Sequence, residues 1–321
     1  MNFMQFVNKV KTELMEYYKE GAEVTINSVR KNNGVMLTGV VIMEKGSHIA
    51  PTIYLESIYE EYRKGRNFRE LLTEIIGIYE KNRIQYCGEF DFFHDFTKVR
   101  KKIFYKLINA KKNKELLEEV PFVPYLDLAI VFYCDCSSEL FGNAAILIRN
   151  SHLKIWNTDK EQVYLAAAVN TPKNCPFEIK TMEAVMKEMF AEEMKKEMEK
   201  NKISYSGQWL EEMASQMLAD TEPPEGKTPM YVLTNTERCN GAACVLYEKL
   251  LENFAKSIND NLYILPSSIH EIIIIPASFA GKASELREMV EEINATQVEE
   301  EEVLSDSVYF FDRMTKKLEL A

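Results

Sequence analysis

The stretch that decides the fold runs from Met230 to Glu302. Its main segments are MYVLTN at 230–235, NGAACVLYE at 240–248, LYILPSSIHEIIIIP at 262–276 and ELREMVEEINATQV at 285–298. β-Branched and aromatic residues in the first and third segments indicate strands, and the spacing of apolar residues in the last predicts a helix. Continued to the end, with a last short strand at 316–320, the order is typical of a βαββαβ antiparallel sheet. Ile272–Ile275 is apolar at every position, which predicts a central strand.

The residues before this stretch predict helices and β-hairpins. Apolar spacing predicts a helix over 3–19, and Asn33-Gly34 is typical of a tight hairpin turn. A second hairpin is expected within 126–148. The predicted fold class is therefore α+β. The helix and hairpin region spans 1–220, with an optional division into 1–85 and 95–220, and the βαββαβ unit spans 226–321 after the linker ADTEPPEGKTP.

Composition limits the class of protein. The 321 residues are 46% apolar and carry a net charge of −11, which predicts a globular protein with ample core. The acidic balance argues against nucleic acid as a general partner, because phosphate contact needs a basic surface. No run approaches the ~20 apolar residues of a membrane span. The six cysteines contain no CxxC pair, so we expect a cytoplasmic protein without membrane association.

The loop between the two strongest strands holds the candidate catalytic residues. Ser267, Ser268, His270 and Glu271 lie within five residues, and Asp306 follows at a distance, so a Ser-His-Asp arrangement is conceivable. The GxSxG elbow of α/β hydrolases is missing, however. A Pro-Ser-Ser turn whose hydroxyls cap free backbone groups explains the same residues.

A candidate metal site lies in the segment GEFDFFHDF at 88–96. Asp91, His94 and Asp95 offer oxygen and imidazole ligands. A metal needs three or four convergent ligands, and one histidine without a helical partner is weak support. Aromatic anchoring of a solvated acidic loop is the alternative.

A basic run between Lys98 and Lys114 contains no acidic residue. We predict a helix over 97–110, with one buried apolar face and one basic face. The basic face is either simply solvated or binds an acidic partner. The candidate binding residues on it are Lys98, Lys101, Lys102 and Lys106.

Asn240 and Gly241 open the next predicted helix, where backbone N–H groups could bind an anion. They fall short of a phosphate loop, because one glycine and no following Lys-Ser or Lys-Thr are present. An asparagine N-cap explains them more simply.

A charged helix over 181–200 carries five methionines and Phe190. Methionine side chains fill irregular cores, but they also form adaptable protein-binding grooves, because thioethers repack easily. Both interpretations stay open at this point.

Five sequence blocks carry a resemblance that covers essentially the whole chain. They are KNNGVMLTG at 31–39, APTIYLESIYEEYRKG at 50–65, NGAACVLYE at 240–248, ILPSSIHEIIIIPA at 264–277 and EEVLSDSVYFFD at 301–312. Together they resemble a bacterial family of unknown function, numbered 5688 and found mainly in gut Firmicutes. The element order is also similar to a more remote Bacillus family numbered 1444. Neither resemblance implies an activity or catalytic residues.

The leading hypothesis is a cytoplasmic, non-enzymatic protein that binds another macromolecule, with a protein as the expected partner and no cofactor. It rests on missing signatures: no phosphate loop, no nucleophile elbow, no paired metal motif and only four histidines. Catalytic carboxylates leave no short signature, so the alternative is a hydrolase or nuclease whose groups come from distant segments. A methionine-lined exposed groove favours binding, whereas a deep cleft with a strongly shifted His270 or carboxylate favours the enzyme.

Overall fold

A computed structural model of the chain describes residues 1–45, 50–82, 93–137, 145–221 and 228–321. The helices are α1 (Phe3–Tyr18), α2 (Glu56–Arg63), α3 (Phe68–Asn82), α4 (Phe96–Val99), α5 (Lys114–Glu119), α6 (Asn150–Trp156), α7 (Lys160–Asn174), α8 (Met182–Lys200), α9 (Gly207–Thr221), α10 (Leu250–Ile258) and α11 (Ala283–Thr296). The strands are β1 (Ala22–Arg30), β2 (Met36–Glu44), β3 (Thr52–Tyr54), β4 (Ile103–Asn109), β5 (Phe122–Tyr125), β6 (Leu128–Asp135), β7 (Ala145–Leu147), β8 (Phe177–Thr181), β9 (Tyr231–Asn235), β10 (Leu262–Leu265), β11 (Ile272–Pro276), β12 (Tyr309–Asp312) and β13 (Lys317–Leu320).

These elements confirm the α+β class. Three sheets have the strand orders β1-β2-β3, β4-β6-β5 with β7 on β6, and β13-β12-β10-β11-β9-β8. Among the helices of the described ranges, none combines the length and the apolar character that crossing a membrane requires.

The chain divides into two compact units. The first comprises Met1–Phe104, Lys112–Phe122 and Phe132–Asn170, and the second comprises Tyr105–Lys111, Val123–Val131 and Thr171–Ala321. The second unit therefore includes α8 and α9, which precede the predicted linker, most of which lies outside the described residues.

The first unit begins with the predicted helix and hairpin. β1 and β2 pair antiparallel through a turn in which Asn33 and Gly34 have φ of 59° and 76°. Positive φ is tolerated best by glycine and asparagine, so the Asn-Gly pair fixes this turn. The apolar stripe of α1 is covered within this unit, and its buried residues are Phe6, Val7, Val10 and Leu14.

The predicted helix over 97–110 is wrong beyond its first turn. Residues 96–102 form α4 and a 3₁₀ turn, and 103–109 form the strand β4. Six of the seven residues of β4 are buried. A short run that is apolar on both faces fits a buried strand as well as a helix, and its β-branched and aromatic residues favour the strand.

The second unit is organised by its six-stranded sheet. β9, β10, β11 and β12 appear in the predicted order, and β13 adds the predicted last strand. β11 pairs with β10 on one side and β9 on the other, so it is central as predicted. The strand β8 pairs with β9 at the edge of this sheet. The sheet therefore includes a strand that lies well before residue 226.

Candidate functional site

The apolar side chains of α8 are half-buried or exposed, and none is fully buried. Thr181 caps the helix by accepting a 3.2 Å hydrogen bond from the backbone N–H of Ala184, as an N-cap residue should. None of the 19 residues of α8 is buried. Met189 is 59% exposed. The other four methionines, Met182, Met186, Met194 and Met198, are half-buried.

A cleft of about 390 Å³ lies between α8 and the sheet. We call it the α8 cleft. Its apolar lining consists of Met182, Val185 and Met189 from α8 and Val232 and Ile273 from β9 and β11. The volume is within the range of ligand-binding pockets.

Charged side chains line the remaining wall of the α8 cleft. Lys180 lies 2.9 Å from Glu188 and 3.2 Å from Glu178, and Arg238 lies 2.5 Å from Glu188. The hydrogen bond from Lys180 and the nearby charges of Lys180 and Arg238 hold the pKa of Glu188 below its usual value. These cations and carboxylates therefore largely satisfy one another.

Glu271 differs from the other carboxylates of the α8 cleft. Burial raises its pKa, and the charge of Glu302 adds to the effect, while His270 and Arg238 oppose it. In the part of the chain that the structure describes, the Glu271 carboxylate has no hydrogen bond or ion pair. A partly desolvated carboxylate without such a partner favours a cationic group in the cleft.

Beside the cleft, backbone pairing brings His270 and Glu302 together. The N–H of Ile269 donates to the carbonyl of Glu302 at 2.9 Å, and the N–H of Leu304 donates to the carbonyl of Ser267 at 2.8 Å. This pairing places Nε2 of His270 3.3 Å from Oε1 of Glu302. The imidazole therefore has a carboxylate beside one of its nitrogens.

The turn that follows β9, residues 238–241, lies on the other side of His270. We call it the Cys239 turn. Arg238 and Asn240 both have positive φ, of 50° and 53°. The N–H of Asn240 donates to Nδ1 of His270 at 3.3 Å. The side-chain amide of Asn240 donates to Cys239 Sγ at 3.5 Å.

Gly241 makes this close approach possible. A Cβ at this position would overlap Thr234 Oγ1 and the carbonyl oxygen of His270, and it would lie 2.9 Å from the backbone nitrogen of Asn235. Asn235 in turn fixes Cys239, because its amide donates to the Cys239 carbonyl at 2.8 Å. Glycine is required here by space and not by φ.

The pKa of His270 is raised by these neighbours. The largest cause is the hydrogen bond with Cys239, followed by the charges of Glu302, Cys239 and Glu271, and together they outweigh the desolvation that lowers it. An imidazole that is oriented by a carboxylate can act as a general base.

The predicted serines occupy structural roles in the same loop. The Ser268 hydroxyl accepts a 3.0 Å hydrogen bond from the N–H of His270 and is buried, as a turn-capping hydroxyl would be. Ser267 contributes its carbonyl to the pairing with Leu304. Asp306 accepts a 2.7 Å hydrogen bond from the side chain of Asn294. Of the predicted groups, Glu271 lines the α8 cleft, and His270 lies between Asn240 and Glu302.

Cys239 and Glu302 are the groups that sequence reasoning missed. The sequence signal for Cys239 is faint: a cysteine just before an Asn-Gly pair at the end of a strand. Glu302 lies in an acidic run, EEEE at 299–302, where nothing distinguishes it from its neighbours. Only the pairing of its backbone with Ile269 selects it.

The predicted binding lysines are spread over different elements. Lys98 belongs to α4 and lies 4.0 Å from Asp95, Lys101 and Lys102 belong to the 3₁₀ turn, and Lys106 belongs to β4. They therefore do not form one face of a helix.

The structure does not show Asn240 as a capping side chain. Its side chain makes no capping hydrogen bond within the described residues, and Gly241–Leu246 is a 3₁₀ turn. The N–H groups of Ala242 and Ala243 already donate to the carbonyls of Ile269 and Asn240. These backbone groups are therefore not available to an anion.

Of the predicted metal ligands, Asp91 lies outside the described residues. His94 is exposed, and Asp95 caps α4 by accepting from the N–H and hydroxyl of Thr97 at 2.9 and 2.6 Å. Across the described ranges, no group of three or more His, Cys, Asp or Glu side chains is placed to hold a metal ion.

The fold and site define an α+β protein with a methionine-lined cleft beside an imidazole–carboxylate pair. A family model matches residues 3–313, so the chain belongs to the family of unknown function DUF5688. This match confirms the resemblance carried by the five sequence blocks. No curated protein and no solved structure matches the chain.

Proposed function

We propose that this protein binds a segment of another protein in the α8 cleft. One observation carries the proposal: α8 buries none of its 19 residues, although its apolar side chains recur at helical spacing. Apolar surface gains about 25 cal/mol for each Å² removed from water. A helix of this kind is therefore stabilised when a partner covers it. Flexible methionines suit such a partner, because they adapt to its shape.

The α9 helix packs against α8 and carries further exposed apolar side chains. Leu210 and Ala214 are buried, but Trp209 and Met217 are 37% and 39% exposed. Exposed tryptophan and methionine are enriched where proteins bind one another. This supports a macromolecular partner over a small molecule confined to the cleft.

The charges of the cleft indicate the chemistry of the bound segment. Lys180 and Arg238 are engaged with Glu188, whereas the Glu271 carboxylate is partly desolvated and its pKa is raised mainly by burial. A lysine or arginine of the partner would pair with Glu271 and offset that desolvation. We infer a segment that presents apolar side chains and one basic residue.

A cytoplasmic location belongs to the same proposal. Cys134 and Cys136 are free thiols with their Sγ atoms 3.9 Å apart. Free thiols in contact fit a reducing compartment, where disulfides are rare.

Site-specific photo-crosslinking tests the proposal. A benzophenone amino acid replaces Met189 inside the cleft, and in a matched control it replaces Lys195 of the same helix. Six residues at 3.6 per turn place Lys195 about 120° away around the helix. We expect a discrete crosslinked protein from position 189, whose crosslinked peptide contains apolar residues and a lysine or arginine.

Charge reversal at the cleft provides the second arm. Glu271→Lys should abolish the crosslink from position 189, because it repels the basic residue of the partner. Identical products from positions 189 and 195, or a crosslink that persists in Glu271→Lys, would contradict the proposal.

Hydrolysis is a second candidate function, and one observation favours it: Nε2 of His270 lies 3.3 Å from Oε1 of Glu302, so a carboxylate orients an imidazole that could act as a general base.

A further inference from the structure

We propose that the edge strand β8 pairs with β8 of a second copy of this chain, so that two six-stranded sheets join into one. The two strands run antiparallel, and Ile179 of one copy lies opposite Ile179 of the other. This interface goes beyond binding in the α8 cleft and does not depend on it.

The strand β8 has a neighbouring strand on one side only, because it stands at the end of its sheet. The N–H of Met182, the residue after β8, donates to the carbonyl of Met230. In an antiparallel pair the direction of the backbone groups alternates from residue to residue, so the even-numbered residues of β8 face β9. The backbone groups of Phe177, Ile179 and Thr181 therefore point away from the sheet.

These outward backbone groups are open to another strand. Across the ranges that the structure describes, the N–H and carbonyl groups of Phe177 and Ile179 have no hydrogen-bond partner. The N–H of Thr181 is also open, while its carbonyl begins α8, as the carbonyl of an N-cap residue does. Phe177 is 50% exposed. A row of unpaired backbone groups at a sheet edge is a template for a further strand.

The side chains of β8 select how two copies align. With Ile179 opposite itself, Glu178 of each copy lies opposite Lys180 of the other. Phe177 then lies opposite Thr181. Opposite charges stabilise an antiparallel pair when they face one another, and so do aromatic and β-branched side chains. A shift that places Glu178 or Lys180 opposite itself would instead bring like charges together.

The same alignment forms the backbone hydrogen bonds. The two Ile179 residues exchange both of their N–H···O bonds, as directly opposed residues of an antiparallel pair do. At each end, the N–H of Thr181 donates to the carbonyl of Phe177 in the other copy. A twofold axis perpendicular to the sheet relates the two copies, so the assembly closes as a symmetric dimer.

The lysine of β8 does not prevent this pairing. Edge strands commonly carry lysine, whose charge repels a second copy. Here Lys180 lies 3.2 Å from Glu178 and 2.9 Å from Glu188. A second copy therefore meets alternating charges and not a uniformly positive edge.

The other edge of the sheet, β13, is less suited to self-pairing. The N–H of Ala321 donates to the carbonyl of Val308 on the β12 side. The outward backbone groups of β13 are therefore those of Leu318 and Leu320. The alignment that uses both of these residues places Glu319 opposite itself, which brings like charges together.

Disulfide trapping with the full chain tests the alignment. Opposed residues that exchange hydrogen bonds have Cα atoms about 5.5 Å apart, a separation that a disulfide can span. Under air oxidation, Ile179→Cys should form an intermolecular disulfide at least about 10-fold faster than Leu318→Cys at the other edge, because pairing raises the local thiol concentration. The unsubstituted chain gives the background from native thiols. Non-reducing gel electrophoresis measures the product.

Charge variants test the pairing by analytical ultracentrifugation. Glu178→Lys should weaken dimerisation at least about 10-fold, because it places like charges opposite one another at both symmetry-related positions. Lys180→Glu should do the same. An equimolar mixture of these two variants should dimerise again, because each strand then meets the opposite charge. Lys195→Glu, on α8, is the matched control and should dimerise as the native chain does.

The mixture also separates lost pairing from lost folding, because a misfolded variant would not recover its association. Circular dichroism checks each variant. A native chain that stays monomeric at every concentration measured would overturn the proposal. So would equal rates for Ile179→Cys and Leu318→Cys, or native dimerisation in folded Glu178→Lys. None of these outcomes affects the crosslinking test of the α8 cleft.

Discussion

The helices α1 and α8 both carry apolar residues at helical spacing, in a narrow stripe on α1 and over a broader arc on α8, and they differ in burial. α1 buries Phe6, Val7, Val10 and Leu14, each with at most 1% of its surface exposed. α8 is longer and buries no residue at all. The first helix is thus part of a core, whereas the second presents a surface. Apolar spacing therefore predicts a helix but does not predict what packs against it. The low burial of α8 identifies it as the candidate binding surface.

Matched truncations should give the largest difference between the two helices. Phe6→Ala should destabilise the first unit by about 3–5 kcal/mol, because it removes a fully buried aromatic ring and leaves a cavity. Met189→Ala should change stability by less than about 0.5 kcal/mol, because its side chain is already largely in water. Urea unfolding followed by circular dichroism measures both. Equal costs would mean that α8 is a core helix after all.

Gly241 and Gly77 allow the same comparison for the backbone, because a methyl group added at Gly241 meets close neighbours and one added at Gly77 meets none. Gly241→Ala should cost about 1–3 kcal/mol, because the added methyl overlaps the His270 carbonyl and Thr234. At Gly77, in α3, an added methyl group would meet no heavy atom within 4 Å. Gly77→Ala should therefore stabilise the protein by about 0.5–1 kcal/mol through helix propensity. Thermal unfolding measures the stability of both variants. A Gly241→Ala variant as stable as the native protein would contradict the close packing of the Cys239 turn.

Smaller effects are expected from the ion pairs beside the α8 cleft. Glu188→Gln should cost about 0.2–1 kcal/mol at low salt and less at high salt, because the pairs with Lys180 and Arg238 are partly exposed. The pKa of Glu188 is lowered in the folded protein, so its contribution is present above the unfolded pKa and is lost as pH falls. Glu193→Gln, on the same helix, is the control. A loss of stability in Glu188→Gln that is equal at low and high salt would contradict solvent-exposed ion pairs.

The smallest expected change is in the titration of His270, measured by NMR. Its pKa is raised in the folded state, so its contribution to stability is complete below the unfolded pKa of about 6.5 and is lost as pH rises through the folded pKa. Glu302→Gln should lower this pKa. His152 is the internal reference, because burial and Arg149 lower its pKa instead. A His270 titration that is the same in Glu302→Gln would show that the two side chains do not interact.

Much of the second unit could be predicted from its sequence. The segments 231–235, 262–265 and 272–276 form strands because their β-branched and aromatic content, with Pro and Asn at their ends, acts locally. The strand β8, FEIKT at 177–181, was missed because it is short and half-exposed, and its partner β9 lies 50 residues later. Pairing across such a distance leaves no local pattern.

The candidate site was only partly predictable for the same reason. His270 and Glu271 stood out because polar residues between two strong strands are conspicuous. Cys239 and Glu302 come from segments about 30 residues away on either side, and hydrogen bonds of the backbone bring them to the imidazole. The helix predicted over 97–110 failed because a run buried on both faces has no period that separates strand from helix.

The central claim is that a partner covers α8 in the cell. Met189→Cys and, as control, Lys195→Cys can each be labelled with N-ethylmaleimide in living cells and in the purified protein. Mass spectrometry then measures the labelled fraction of each cysteine. We predict that position 189 labels rapidly in the purified protein and slowly in cells, while position 195 labels equally in both. Equal labelling of position 189 in cells and in isolation would contradict a partner in the α8 cleft.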